Sequence, residues 1–282
     1  MSGLTPYTLV EPCAGSAALT LHLLGAKRAV LPYQGSKWLH RHALHRHTMR
    51  LGFFGPPSRV VLTDPGPWGV ALGVILDPQR RPLLVEALRE MEEVDDPTFV
   101  YESIHCQLVA TDEVAFTAEF LFLQRLAFSG KAVGVQGGCW VSPGFNKTSA
   151  YGTPATDRFG QINPMLPSMI RVLESYEHAL TPAVVEVRQT VATPPTSKVE
   201  GNTLVYLDPP YTDSTSYPNG QMSRDEVVNL ALAWHDAGAT VLVSEQRGLA
   251  NWERHQISGG KVNTSPFKGK QEEWVSILRS IE

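Results

Sequence analysis

Leu204-Val205-Tyr206-Leu207-Asp208-Pro209-Pro210-Tyr211 joins an apolar run to an acid, two prolines and an aromatic ring. Apolar residues that stop this abruptly read as a buried strand. Proline has no N–H for a sheet ladder, and it disfavours helix for the residue before it. Asp208 is therefore expected to be held extended at a rigid corner, with its carboxylate, free carbonyls and the Tyr211 ring at the carboxyl end of the strand. Open α/β sheets bind their ligands at that edge. Such a corner suits a flat, polar, amine-bearing substrate. An exocyclic amine on an aromatic heterocycle is a poor nucleophile because its lone pair is delocalised into the ring. Two acceptors on its N–H bonds, here Asp208 and the Pro209 carbonyl, favour the tetrahedral geometry that frees it. The plainer reading is a Pro-Pro turn that closes a strand.

Two further segments complete an α/β pattern. Tyr7-Thr8-Leu9-Val10 reads as a strand that runs into Glu11-Pro12-Cys13-Ala14-Gly15-Ser16-Ala17-Ala18, after which Leu19 to Leu24 resume a helical pattern. A strand, a turn of small residues and a helix amino terminus leave backbone N–H groups open to a ligand. Arg59-Val60-Val61-Leu62-Thr63 reads as a second strand with Asp64 at its tip. A carboxylate in that position accepts from two vicinal ribose hydroxyls.

Composition excludes several classes. The chain has 282 residues, 43% hydrophobic and 18% charged, enough for one large domain with an insertion. It has no apolar run long enough to span a bilayer. The segment Met1 to Pro6 lacks the pattern of a secretion signal, so a cytoplasmic location is expected. Cys13, Cys106 and Cys139 are odd in number and far apart, which fits neither a disulfide framework nor a zinc cluster. No metal is expected.

Net charge is −4, so any contact with nucleic acid needs a local basic face. His40-Arg41-His42-Ala43-Leu44-His45-Arg46-His47-Thr48-Met49-Arg50 is the candidate, either as a solvated helix or through phosphate contacts of Arg41 and Arg46. Leu83 to Met91 and Phe116 to Phe128 have helical spacing, and Gly134 to Tyr151 reads as a loop or hairpin. Lys131, Trp140, Asn146, Lys147 and Tyr151 interleave aromatic, amide and basic side chains with glycine, a mixture suited to phosphate contact and base stacking. Trp140 would equally anchor a long loop to the core.

Taken together, these motifs resemble the amino-directed DNA methyltransferases of the Dam type, which methylate adenine N6 with S-adenosylmethionine. Asp208-Pro209-Pro210-Tyr211 is similar to the family's catalytic motif, and Glu11 to Ser16 to its methionine-binding turn. Asp64 falls at its ribose-binding acid. Phe120 to Gly130, with Arg125, resembles the helix and turn before its recognition region, and Gly144-Phe145-Asn146 its Phe-Asn signature. Pro32-Tyr33-Gln34-Gly35-Ser36-Lys37 is similar to the aromatic-x-Gly-Gly-Lys cofactor motif, but here it follows the cofactor turn. Where the family commonly has Gly-x-Gly, this chain has Gly15-Ser16-Ala17, and alanine is expected at negative φ.

The resemblance implies a doubly wound Rossmann-like α/β sheet of the class I methyltransferase kind. Residues 1–78 and 185–282 would form the catalytic domain, and a mostly helical insertion, 79–184, the target-recognition region. The implied cofactor residues are Glu11, Pro12, Cys13, Ala14, Gly15, Ser16, Ala17, Tyr33, Gly35, Lys37, Asp64 and Asp208. The implied partner is DNA, with the adenine flipped onto Asp208, Pro209, Pro210 and Tyr211, in a prokaryotic or phage setting. Cytosine N4, an RNA amine, and an inactive nucleic-acid-binding relative all remain open at this level, as do strandedness, recognition sequence and oligomeric state.

Overall fold

The computed structural model describes residues 5–31, 37–94, 96–105, 107–127, 132–145, 165–199, 201–210, 222–259 and 272–280. Its centre is a seven-stranded sheet. In chain order the strands of that sheet are β1 (Thr8–Glu11), β2 (Arg59–Thr63), β5 (Val184–Arg188), β6 (Thr203–Leu207), β7 (Thr240–Glu245), β8 (Glu253–Gly259) and β9 (Glu272–Leu278). A separate hairpin pairs β3 (Gly134–Gln136) with β4 (Cys139–Val141). Spatially the order is β5-β2-β1-β6-β7-β9-β8. The first five are parallel, and β9 runs antiparallel to both of its neighbours.

This topology decides where a ligand can enter. From β1 the chain winds outward to β2 and β5, then returns to lay β6 on the other side of β1. Connections leaving β1 and β6 therefore diverge and open a crevice at their carboxyl ends, the topological switch point. Glu11 ends β1 and Asp208 follows β6, so both stand at that crevice.

Both faces of the sheet are buried, which is why its strands read as continuous apolar runs rather than as an alternation. Leu9, Leu204, Tyr206, Leu242 and Val275 pack on one face with Leu19, Leu23, Leu44 and Phe53. The first two of those helical residues lie on α1 (Ala18–Leu23), and Leu44 lies on α2 (Arg41–Arg50). On the other face Val10, Val61, Val205, Leu207, Val241 and Val243 meet Val227, Leu230 and Ala231. Those three lie on the helix Arg224–Asp236, which starts in a capping box of Ser223 and Glu226. Since side chains alternate between faces, Glu11, Asp208 and Glu273 fall on the α1/α2 face with Leu9, Tyr206 and Val275.

Between β2 and β5 the chain forms α3 (Pro67–Ile75), α4 (Arg81–Glu92), α5 (Pro97–Ile104), α6 (Glu113–Leu126), the hairpin and α7 (Leu166–Ala179); the helix Arg224–Asp236 is then α8. Caps mark two of these helices at sequence level: Asp96 accepts from Thr98 N–H, and Asp112 from Val114 and Ala115. The helices share one continuous core with Val60, Leu62, Ala14 and Ala17, across the boundary expected near residue 78. An α/β fold with a mixed, largely parallel sheet is thus established, and no helix among the described residues is long and apolar enough to cross a membrane.

One contact fixes the tip of β2. The backbone at Gly69, in α3, passes so close to the Asp64 carbonyl that an added Cβ would lie 2.3 Å from that oxygen. Overpacking of this kind costs about 1–3 kcal/mol. Gly69→Ala should therefore destabilise the protein by about 2 kcal/mol or more in urea unfolding. A midpoint equal to the parent's would show that α3 is free to move away from the strand tip.

Candidate functional site

The turn after β1 is built by its own backbone. Gly15 and Ala17 both adopt left-handed φ of 48°. Ala17 N–H donates to the Ala14 carbonyl at 2.7 Å, and Ala14 N–H donates to the Thr63 carbonyl at 3.0 Å, which ties the turn to the end of β2. The expectation of negative φ at Ala17 is therefore incorrect. The turn demands the left-handed region whichever residue stands there, and alanine bears a cost of about 1–2 kcal/mol. Ala17 is fully buried, so its methyl packs in the core.

Asp64 and Glu11 hold this turn from two sides. Asp64 accepts from Gly15 N–H at 3.1 Å and from Gly66 N–H at 2.8 Å, one on each carboxylate oxygen. The Gly69 backbone N–H also acts on this carboxylate, whose two oxygens together offer about four acceptor sites. Burial raises the Asp64 pKa against the pull of these backbone donors. Glu11 is buried and its Oε1 accepts from both the Thr20 N–H, at 2.8 Å, and the Thr20 hydroxyl, at 2.5 Å. A carboxylate at the first turn of a helix satisfies an otherwise orphan donor and complements the helix dipole. Glu11 thus clamps α1 to the end of β1, and its influence on a ligand is through its charge. Burial pushes its pKa up to about 7, beyond what the Thr20 hydrogen bonds recover, with the nearby Asp208 charge adding to the rise.

The centre of the site is a buried ammonium. Lys37 opens a 3₁₀ turn, Lys37–His40, that leads into α2. Its side chain is 5% exposed, and Nζ lies 3.1 Å from Asp208 Oδ1 and 3.3 Å from Glu273 Oε1. Burial alone would lower the Lys37 pKa, but the two carboxylates outweigh it and raise it. Asp208, 20% exposed, moves up to about 6: burial raises it, Lys37 opposes the rise, and Glu273 adds to it. Below Asp208, Tyr206 and Ser244 share a hydrogen bond of 2.8 Å, which firms the strand ends beneath the carboxylate. Cys13, whose thiol pKa is raised by burial, sits 3.8 Å from the Met222 sulfur.

The structure brings Glu11, Cys13 to Ala17, Asp64, Lys37 and Asp208 together at one crevice, although Lys37 follows the cofactor turn in sequence. Tyr33, Gly35 and Tyr211, and most of the segment from Thr212 to Met222, lie outside the described residues. So do Lys131, Asn146, Lys147 and Tyr151. The chain matches no protein-family model and no curated protein. The family likeness accordingly rests on the motifs and on this geometry.

Two of the proposed nucleic-acid contacts are relocated. Trp140 is 1% exposed, lies parallel to the Phe120 ring and tilted against Phe116, and donates its indole N–H to Glu119 at 2.7 Å, so it anchors the hairpin to α6 and presents no face for a base. Arg125 is 3% exposed, with its guanidinium over the Phe122 ring, and burial lowers its pKa to about 10. A surface contact with phosphate is closed to it in this arrangement. Arg41 lies on the Trp38 ring and donates to the Trp38 carbonyl, whereas Arg46 is exposed. The histidines are set among one another: His42 and His45 pack against His22, and His47 against His255. Among the described residues no group could hold a metal ion.

Glu273 and Thr20 are site residues that the motifs do not reveal. Thr20 looks like any helix residue, and Glu273 belongs to an acidic pair before a strand pattern at the far end of the chain. Only the pairing of β9 with β7 carries Glu273 to Lys37.

Glu11 generates a pH dependence of stability. Its folded pKa of about 7 exceeds the ordinary value of 4.5, so the folded chain holds a proton that the unfolded chain releases. That contribution is complete below 4.5 and is lost as pH rises through 7, up to about 3 kcal/mol in all. Glu11→Gln keeps an acceptor for Thr20 and removes the titration. Denaturant unfolding between pH 5 and pH 8 should show a shallower loss of stability in the variant, and equal slopes would contradict the assignment.

Proposed function

We propose that this protein is an S-adenosylmethionine-dependent amino-methyltransferase with the class I methyltransferase fold, acting on the exocyclic N6 amine of adenine in DNA. The observation that carries the reading is the convergence of Asp208 with the Gly15 turn and Asp64 at the switch point between β1 and β6. Each of these motifs has a plain structural use alone, but their meeting at the one edge where such sheets bind ligands favours a single site.

The charges present suit a cationic methyl donor. Glu11, Asp64, Asp208, Glu245 and Glu273 stand at the carboxyl edge, with Lys37 as the buried ammonium facing Asp208 and Glu273. S-adenosylmethionine, when bound, supplies an electrophilic methyl group on a positively charged sulfur. Glu11 and Asp208 would contribute attraction to it, Asp64 would accept its ribose hydroxyls, and the small residues from Cys13 to Ala17 admit its amino-acid end.

Asp208 accepts one N–H of the substrate amine and the Pro209 carbonyl the other. Lys37 engages Asp208 through Oδ1, which leaves Oδ2 for the amine. Held this way, the nitrogen lone pair is drawn out of conjugation and aimed at the methyl carbon, and alignment of two bound reactants supplies much of the acceleration. The amine loses its surplus proton to Asp208 after the methyl arrives, so Asp208 acts with a pKa near 6 and need not be a strong base. Tyr211 would stack on the flipped base, a contact worth about 1–3 kcal/mol.

Incubation with methyl-labelled S-adenosylmethionine and DNA of mixed sequence, followed by nucleoside mass analysis, should yield N6-methyladenine. Asp208→Ala should abolish the product while cofactor affinity stays within about tenfold, since the cofactor keeps its other partners. N4-methylcytosine would reassign the base, and a fully active Asp208→Ala would contradict the mechanism.

A further inference from the structure

We propose that Glu273 is a positioning residue for Asp208, acting through Lys37 to keep one oxygen of the Asp208 carboxylate free for the substrate amine. The inference rests on the amino-methyltransferase reading and adds to it a residue from the far end of the chain. It stands on the geometry of β9. That strand pairs antiparallel with β7 in the register Ser244 with Val275 and Glu245 with Trp274, so Glu273 lies just past the end of β7. Glu273 shares the parity of Val275, whose side chain packs on the α1/α2 face, and that face is the one from which Lys37 descends. Glu273 therefore reaches over the end of β7 toward the end of β6, where Asp208 stands.

The ammonium then has two anchors. With Asp208 as its sole anionic partner, a four-carbon lysine stem would let Nζ slide between Oδ1 and Oδ2, because either oxygen serves it equally well. Glu273 Oε1 at 3.3 Å fixes Nζ from a second direction, and Nζ meets Asp208 at Oδ1, 3.1 Å away.

The charges facing this group come from several elements. Asp208 meets Lys37 from the 3₁₀ turn, Glu273 from β9 and Glu11 from β1, with Cys13 and Tyr206 nearby. Glu273 in turn faces Lys37, His40 and Glu245. Its negative charge raises the Asp208 pKa, so removal of that charge lets Asp208 ionise at lower pH.

Glu273→Gln and Glu273→Asp separate charge from reach. The Asp208 carboxyl carbon, labelled with carbon-13 and assigned by its loss in Asp208→Asn, should titrate about one pH unit lower in Glu273→Gln than in the parent, the size of effect one adjacent charge produces. Glu273→Asp keeps the charge and should titrate close to the parent. In methyl transfer, the acid limb of kcat/KM should move down with the titration in Glu273→Gln, and both variants should lose tenfold or more of the plateau rate. A residue that only supported the fold would lower the plateau without moving the limb. An unmoved Asp208 titration in Glu273→Gln, or parental rates in both variants, overturns the proposal. A shifted titration in a parent protein that transfers no methyl group to any nucleic acid would leave the electrostatic coupling standing and reject the enzyme reading instead.

Discussion

One buried ammonium between two carboxylates, at the carboxyl edge of a parallel sheet, sets the terms for the rest of the site. Lys37 is held there by Asp208 and Glu273. Burial of charge is costly unless partners are close and fixed. The fixing comes from three separate elements: the 3₁₀ turn before α2, the strand end at β6, and the reversed strand β9. None of these would meet without the order β1-β6-β7-β9, which brings the first and last parts of the chain to one crevice.

The same edge shows why a carboxylate can serve structure and chemistry differently from one strand to the next. Glu11 is closed in on Thr20 and secures α1. Asp64 accepts from the Gly15 and Gly66 amides and secures the turn, while its oxygens keep capacity for another donor. Asp208 meets the Lys37 ammonium through Oδ1 and keeps a fifth of its side chain exposed, which fits it for a transient partner. A cluster of carboxylates at one edge suits a ligand that is itself a cation, and the proposed methyl donor is one.

Much of this was legible in the residues. Arg59–Thr63 forms a strand with the expected limits, and the runs at Leu9 and Leu204 form strands because both faces of the sheet are covered. The helices at Leu83 and Phe116 follow from their spacing and, for α6, from the Asp112 cap. Three features were not legible, for physical reasons. Trp140 next to glycines suits an exposed stacking platform as well as a buried anchor, and only the presence of Glu119 and Phe120 on α6 decides for the anchor. Glu273 owes its position to strand pairing between distant segments, which local pattern does not encode. The left-handed backbone at Ala17 is a third case, because closure of the turn against Thr63 overrode the preference of the residue.

The central claim is that the carboxylates of this crevice hold a cationic methyl donor, and comparison of two ligands tests it most directly. S-adenosylmethionine and S-adenosylhomocysteine differ by the methyl group and the positive charge on sulfur. Glu11 and Asp208 ionise with pKa values of about 7 and about 6, so the negative field at the crevice grows as pH rises through that range. Calorimetric titration of both ligands from about pH 5 to about pH 8 should show S-adenosylmethionine binding more tightly, with the difference widening as pH rises. Equal affinities that stay equal across the range, or no binding of either ligand, would contradict the account.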